Sequence, residues 1–205
     1  MEPNKVSKKL LKRLPVYLSY LKSLPEHSEH ISATAIANAL GLGDVQVRKD
    51  LAKISTGRRR TGRSREQLIQ DIELYLDFAT ETGTVIVGAG KLGQALLDYN
   101  GFSEFGLNIM AAFDLQPLSK QSDSGKPIYT MSRLDSFCKC YDVHIGIITV
   151  PAESAQQVCD CLVSCGIKAI WNFAPVHLSV PSHVALQNEN LAESLTALRM
   201  QFKNQ

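Results

Sequence analysis

The chain has 205 residues, 44% hydrophobic and 20% charged, an ordinary globular composition with room for one large domain or two small ones. Its net charge of only +2 hides an asymmetry: residues up to 70 carry fourteen basic against six acidic side chains, and the remainder eight against fourteen. No apolar run is long enough to span a bilayer and the chain starts on a polar segment, so membrane classes are excluded and a cytoplasmic protein is expected.

From residue 7 to 24 the apolar residues Leu10, Leu11, Leu14, Tyr17, Leu18 and Leu21 recur at helical spacing, with Lys8, Lys9, Lys12 and Arg13 among them. Pro15 lacks a backbone donor and crowds the preceding turn, so the helix is expected to start there or to kink. Ser32 caps a small-residue helix over 33–40, Gly41-Leu42-Gly43 supplies a turn, and Asp44 is expected to cap a third helix over 45–54. Two short helices across a glycine turn make a helix-turn-helix candidate. In the third helix Val47, Leu51 and Ile54 can face a core, leaving Gln46, Lys49 and Lys53 opposite, flanked by Arg48. Amide, guanidinium and ammonium groups are the types that meet base edges and phosphates in a major groove. A solvated basic face on a plain helical domain is the competing reading. The next segment weighs against it: Arg58, Arg59, Arg60, Arg63 and Arg65 cluster around Gly57 and Gly62. That pattern suits a hairpin wing reaching a narrow, electronegative minor groove. A further helix over 66–78, with Leu68, Ile69, Ile72 and Leu76 apolar, leads into the second half.

There, a β-branched strand over 84–87 runs into Gly88-Ala89-Gly90-Lys91-Leu92-Gly93 and a helix to about Tyr99. The first glycine makes a tight turn, the second admits a pyrophosphate to the backbone, and the third allows close helix packing. Alone the motif is weak. It gains weight from a second strand, 109–114, ending on Asp114, where a carboxylate meets the ribose hydroxyls of NAD(H) and repels the extra phosphate of NADP(H). Strands over 143–150 and 169–173 flank a helix over 155–165, an alternation that predicts a parallel sheet covered on both faces. Val150 and Pro151, then Asn172, Phe173, Ala174 and Pro175, lie at strand carboxyl ends and are assigned with Tyr99 to the cofactor site.

Cys138, Cys140, Cys159, Cys161 and Cys165 lack the spacing of structural zinc sites, so they read as reduced, mostly buried thiols, and no metal is expected. No catalytic pairing is legible: His144 opens an apolar strand and only His177 invites a test. A cofactor site without a substrate site points to a sensor rather than an enzyme. An NAD-dependent dehydrogenase, or a CoA- or other nucleotide-binding module without DNA contact, are the alternatives.

Taken together, Lys12-Arg13-Leu14-Pro15 with Tyr17 and Tyr20-Leu21, Gln46-Val47-Arg48-Lys49-Asp50-Leu51, the glycine turn at 88–93, Ala112-Phe113-Asp114, Ile148-Thr149-Val150-Pro151-Ala152 and Trp171-Asn172-Phe173-Ala174-Pro175 closely resemble the Rex family of redox-sensing transcriptional repressors. The resemblance spans nearly the whole chain. It implies an α/β protein: an N-terminal winged helix-turn-helix domain over 1–80, a Rossmann-like parallel-sheet domain over 81–188, and a C-terminal dimerisation helix over 189–205 exchanged between subunits. It further implies a homodimer on an inverted-repeat DNA operator, with NADH and NAD+ competing for one site and NADH weakening operator binding. Arg13 and Tyr99 are the candidates for sensing and relaying the redox state. Two departures stand out: Arg63 where the family's wing often has an aromatic residue, and Asn190 where its last helix often starts on an acid.

Overall fold

The computed structural model describes residues 7–25, 28–55, 63–78 and 80–203. The chain divides into two compact units, Met1–Thr80 and Glu81–Gln205. The division falls ten residues beyond the point at which the charge was counted to change sign, and no separate third unit is set apart at residue 189.

In the first unit, α1 (Lys8–Ser23) runs unbroken through Pro15, so the expectation of a start at the proline fails. Leu11, whose carbonyl loses its donor to the ring four residues on, is 41% exposed, so that end of the turn is open to water. Leu10, Leu14, Tyr17, Leu18 and Leu21 are buried, as the periodicity requires. A short strand β1 (His30–Ile31) precedes α2 (Ala33–Leu40), whose cap is the Ser32 hydroxyl accepting from the Ala35 N–H at 3.0 Å. Gly41 closes α2 in the left-handed region at φ 64°, where a side chain would be strained. α3 (Asp44–Ile54) begins one residue earlier than expected: Gly43 is its cap, and Asp44 lies in the first turn without bonding the helix backbone. Asp44 instead accepts from the Thr34 hydroxyl at 2.8 Å and pairs with Arg48, locking α2 to α3. Strand β2 (Arg63–Ser64) pairs antiparallel with β1, and α4 (Arg65–Tyr75) follows, ending three residues before the expected Phe78.

The second unit is a six-stranded parallel sheet: β3 (Thr82–Val87), β4 (Leu107–Asp114), β5 (Ile128–Thr130), β6 (Val143–Ile148), β7 (Ala169–Asn172) and β8 (Ala185–Asn188) in the order β5-β4-β3-β6-β7-β8. Helices α5 (Lys91–Asp98), α6 (Leu134–Cys140) and α7 (Ala152–Ser164) cover it. Alternate strand residues supply two cores. Val85, Val87, Phe113 and Ile148 pack with Leu134, Cys159 and Leu162, while Ile86, Ala112 and Ile147 pack with Leu97. The order reverses between β3 and β6, the switch point where open α/β sheets leave a crevice. α7 starts at Ala152 rather than 155, which carries its first turn into that crevice. The last helix, α8 (Leu191–Lys203), is capped by Asn190, whose side-chain oxygen accepts from Ala192 and Glu193 N–H. No helix among the described residues is long and apolar enough to cross a membrane.

Candidate dinucleotide cleft and nucleic-acid surface

At the end of β3 the chain turns at Gly88 with φ 104°; a methyl group there would press on Thr149 at 2.9 Å. A methyl at Gly93 would collide with the Gly88 carbonyl oxygen. Gly90 differs: a Cβ there meets nothing within 4 Å. The turn is therefore packed shut at its first and third glycines and open at its second, beside the N-terminus of α5. That is the cradle a diphosphate requires, since backbone N–H groups must be approached without a side chain between. Thr149 holds it, donating its hydroxyl to the carbonyls of Val87 (3.2 Å) and Gly88 (2.8 Å). Opposite, the Asp114 carboxylate accepts from the Ala89 N–H at 2.7 Å and from the Gln116 N–H at 3.0 Å.

These groups line a cleft of about 490 Å³. Of the residues assigned from sequence, Gly88, Gly90, Asp114, Val150 and Pro151 form its walls. Ala89 is buried and contributes its N–H to Asp114. Lys91 and Leu92 are exposed on the first turn of α5, and Gly93 is buried beneath it. Tyr99 is exposed and meets Phe102 edge-on at 5.0 Å. Asn172 is fully buried, and its amide serves the loop: it donates to the Ala174 and Val176 carbonyls and to Asn188, and accepts from the Ala174 N–H. Phe173 packs on Trp171 at 4.5 Å, Ala174 is buried and Pro175 exposed. The sequence reading missed Leu115, Met131, Ser154, Gln157, Val158 and Cys161 on the cleft wall. Among the described residues no group of acidic, histidine or cysteine side chains is placed to hold a metal ion.

In the first unit, Gln46, Arg48, Lys49 and Lys53 are all exposed on α3 while Val47 and Leu51 are buried, so the expected faces hold. Lys49 and Lys53 make no ion pair among the described residues, and Arg48 bonds Asp44 and Thr34. Arg63 sits in β2, half-buried, with its Nε shielded from water and without a hydrogen-bond partner, which differs from a free wing-tip cation. Arg58, Arg59 and Arg60 lie outside the described residues.

A feature absent from the sequence reading is Asp50, which is 2% exposed. Arg13 grips it with two bonds of 2.7 and 2.9 Å, the Tyr17 hydroxyl donates at 2.8 Å and the Gln46 amide at 2.8 Å. Burial by itself would push the Asp50 carboxyl up, but the bonds from Arg13, Tyr17 and Gln46 hold it below its ordinary value. Burial and the Asp50 carboxylate push Tyr17 up to about 12. Arg13, expected as a relay, is thus bound within its own domain, and it orders the helix that presents Gln46.

A basic helix-turn-helix unit joined to a parallel-sheet domain with an open glycine cradle is the build of a nucleotide-responsive DNA-binding regulator. Comparison with known proteins sharpens this. A putative DNA-binding protein N-terminus family matches residues 5–52, and a CoA binding domain family matches 79–176. The redox-sensing transcriptional repressor Rex of Bacteroides fragilis is 38% identical, over 96% of this chain and 91% of its own, and that of Treponema denticola is 40% identical over 92% and 91%. The crystal structure of RSP, a Rex-family repressor, in complex with β-NAD+ and operator DNA superposes with a TM-score of 0.89 at 32% identity, covering 98% of this chain and 94% of that one. RSP in complex with β-NADH gives 0.84. The chain belongs to the Rex family of redox-sensing transcriptional repressors.

Proposed function

We propose that this protein is a cytoplasmic homodimeric repressor that binds an inverted-repeat operator through α3 of each subunit and leaves it when NADH occupies the cleft. The observation that carries the reading is the pairing, in one chain, of the open Gly90 cradle beside Asp114 with an exposed row of Gln46, Arg48, Lys49 and Lys53. Gly88 and Gly90 receive the pyrophosphate against the start of α5, and Asp114 takes the ribose hydroxyls by exchanging them for the Ala89 N–H. Thr149 keeps the two loops of the cradle in register. Oxidised nicotinamide bears a positive charge that the reduced ring lacks, so the two forms differ in electrostatic fit. A ligand shifts a two-state protein only through unequal affinity for the states, so NADH must favour the arrangement that does not fit the operator. RSP, whose complexes include one with β-NAD+ and operator DNA and one with β-NADH, supports this assignment by kinship. A fluorescence-anisotropy titration of an operator fragment, selected from random duplexes in the presence of NAD+, tests it. Added NADH in excess of NAD+ should lower occupancy at least tenfold; occupancy that ignores NADH refutes the proposal.

A further inference from the structure

The cleft has groups for one half of a dinucleotide and not for the other. It combines the open turn at Gly88 and Gly90, the Asp114 carboxylate, and apolar side chains from Leu115, Met131, Val158 and Cys161. Helix α7 turns one face to it: Ser154, Gln157, Val158 and Cys161 follow the i, i+3, i+4, i+7 spacing. The groups expected at the nicotinamide end stand outside these walls. Asn172 commits its amide to its own loop, and Phe173 packs on Trp171. The Tyr99 ring lies across Gly101, where a Cβ would meet it at 2.5 Å, and stands edge-on to Phe102.

We infer that free ADP is a ligand of this cleft in its own right and a competitive antagonist of NADH, keeping the repressor on its operator where NADH alone would release it. The inference rests on the NAD(H) reading above and deepens it. The cleft's volume of about 490 Å³ suits a small ligand. The diphosphate of ADP faces the open second glycine and the start of α5, its ribose hydroxyls meet Asp114, and its purine lies against the apolar side chains. Gln157 adds an exposed amide, able both to donate and to accept, for a polar edge of the base. In NAD(H) both phosphates are esterified on either side, whereas the outer phosphate of ADP is free and carries extra negative charge. A helix N-terminus favours that charge.

Every group that ADP meets in the cleft belongs to the second unit. It brings no nicotinamide ring, so it makes the same contacts whether or not the dimer fits its operator. A ligand with equal affinity for two states shifts neither of them. ADP therefore leaves operator binding unchanged by itself. By occupying the cradle it raises the NADH needed for release by one plus its own concentration over its dissociation constant. That factor is about elevenfold when ADP stands at about ten times that constant.

The test uses the full chain. Isothermal titration calorimetry with ADP reads binding directly. An anisotropy titration of the operator fragment with NADH, repeated at fixed ADP, reads the antagonism. ADP should bind once per chain, leave the operator complex intact when added alone, and move the NADH release curve by the factor above. AMP, which lacks the outer phosphate, should bind at least tenfold more weakly. Nicotinamide mononucleotide, the other half of the dinucleotide, should not move the curve. Nor should coenzyme A, whose ribose phosphate is repelled by Asp114. Gly90→Ala should keep its melting point and operator binding while losing ADP affinity at least tenfold. An NADH curve that ignores bound ADP, or release of the operator by ADP alone, overturns the proposal. So does a shift by nicotinamide mononucleotide or coenzyme A as large as that by ADP. NADH binding without ADP binding strikes the proposal and leaves the functional reading standing; ADP binding without NADH binding does the reverse.

Discussion

Asp50→Ala probes the buried polar hub of the DNA-binding unit. The substitution leaves the Tyr17 hydroxyl, in a fully buried residue, without its acceptor, a cost of about 1–3 kcal/mol. It also frees Arg13, whose side chain is 23% exposed and so recovers water over part of its surface; this adds only about 1 kcal/mol to the loss. The total is about 2–4 kcal/mol, which lowers the melting point of a domain of this size by roughly 10–25 °C. Far-ultraviolet circular dichroism sees both units, whereas Trp171 reports on the second alone, so an early dichroism transition with an unmoved fluorescence transition localises the damage. Arg13→Ala should cost about 2 kcal/mol, and the double variant should cost at least about 1 kcal/mol less than the sum. Additivity within about 0.5 kcal/mol, or a loss below that for Asp50→Ala, refutes the hub.

Acid should tell the same story. The Asp50 carboxyl is held below its ordinary value of 3.8, so its share of stability is complete above that pH and is lost as pH falls further through the folded value; a dichroism titration of Asp50→Asn should lack this component. Gly90→Ala and Gly93→Ala should part company: the first should keep its melting point while losing NADH affinity at least tenfold, and the second should unfold more readily because its methyl meets the Gly88 carbonyl. Calorimetry and energy transfer from Trp171 separate them. Asp114→Ala should keep operator binding and lose its response to NADH, whereas Arg48→Ala should do the reverse, both read by anisotropy. Lys49→Ala should weaken binding to all duplexes alike and shallow the salt dependence by about one unit of slope.

What could be read in the chain was local. Gly88-Ala89-Gly90 is a turn whatever surrounds it, and the buried faces of α1 and α3 follow from spacing along one helix. The cleft's far wall did not announce itself, because Met131, Ser154, Gln157, Val158 and Cys161 come from separate segments that only the closed sheet brings together. Strands β5 and β8 are three and four residues long, too short for a period-two signal, and β8 (Ala-Leu-Gln-Asn) is half polar. Nothing local marks Asp50 as a buried hub, because its partners Arg13 and Tyr17 sit more than thirty positions away. Asn172 lies at a strand end, where ligand contacts gather, and nothing in its local sequence shows that it is buried with its amide bonded to its own loop.

If α3 reads the operator as proposed, the bond from the Gln46 amide to Asp50 also bears on how fast and how selectively it does so. An unrestrained glutamine must give up its rotamers on meeting a base, at about 0.5–1.5 kcal/mol. Here that ordering is completed during folding, with one amide N–H already committed to the carboxylate and the amide oxygen left as acceptor. On the proposed function, this helix would search sequence with a rigid probe, and wrong base edges would meet a group that cannot turn to accommodate them.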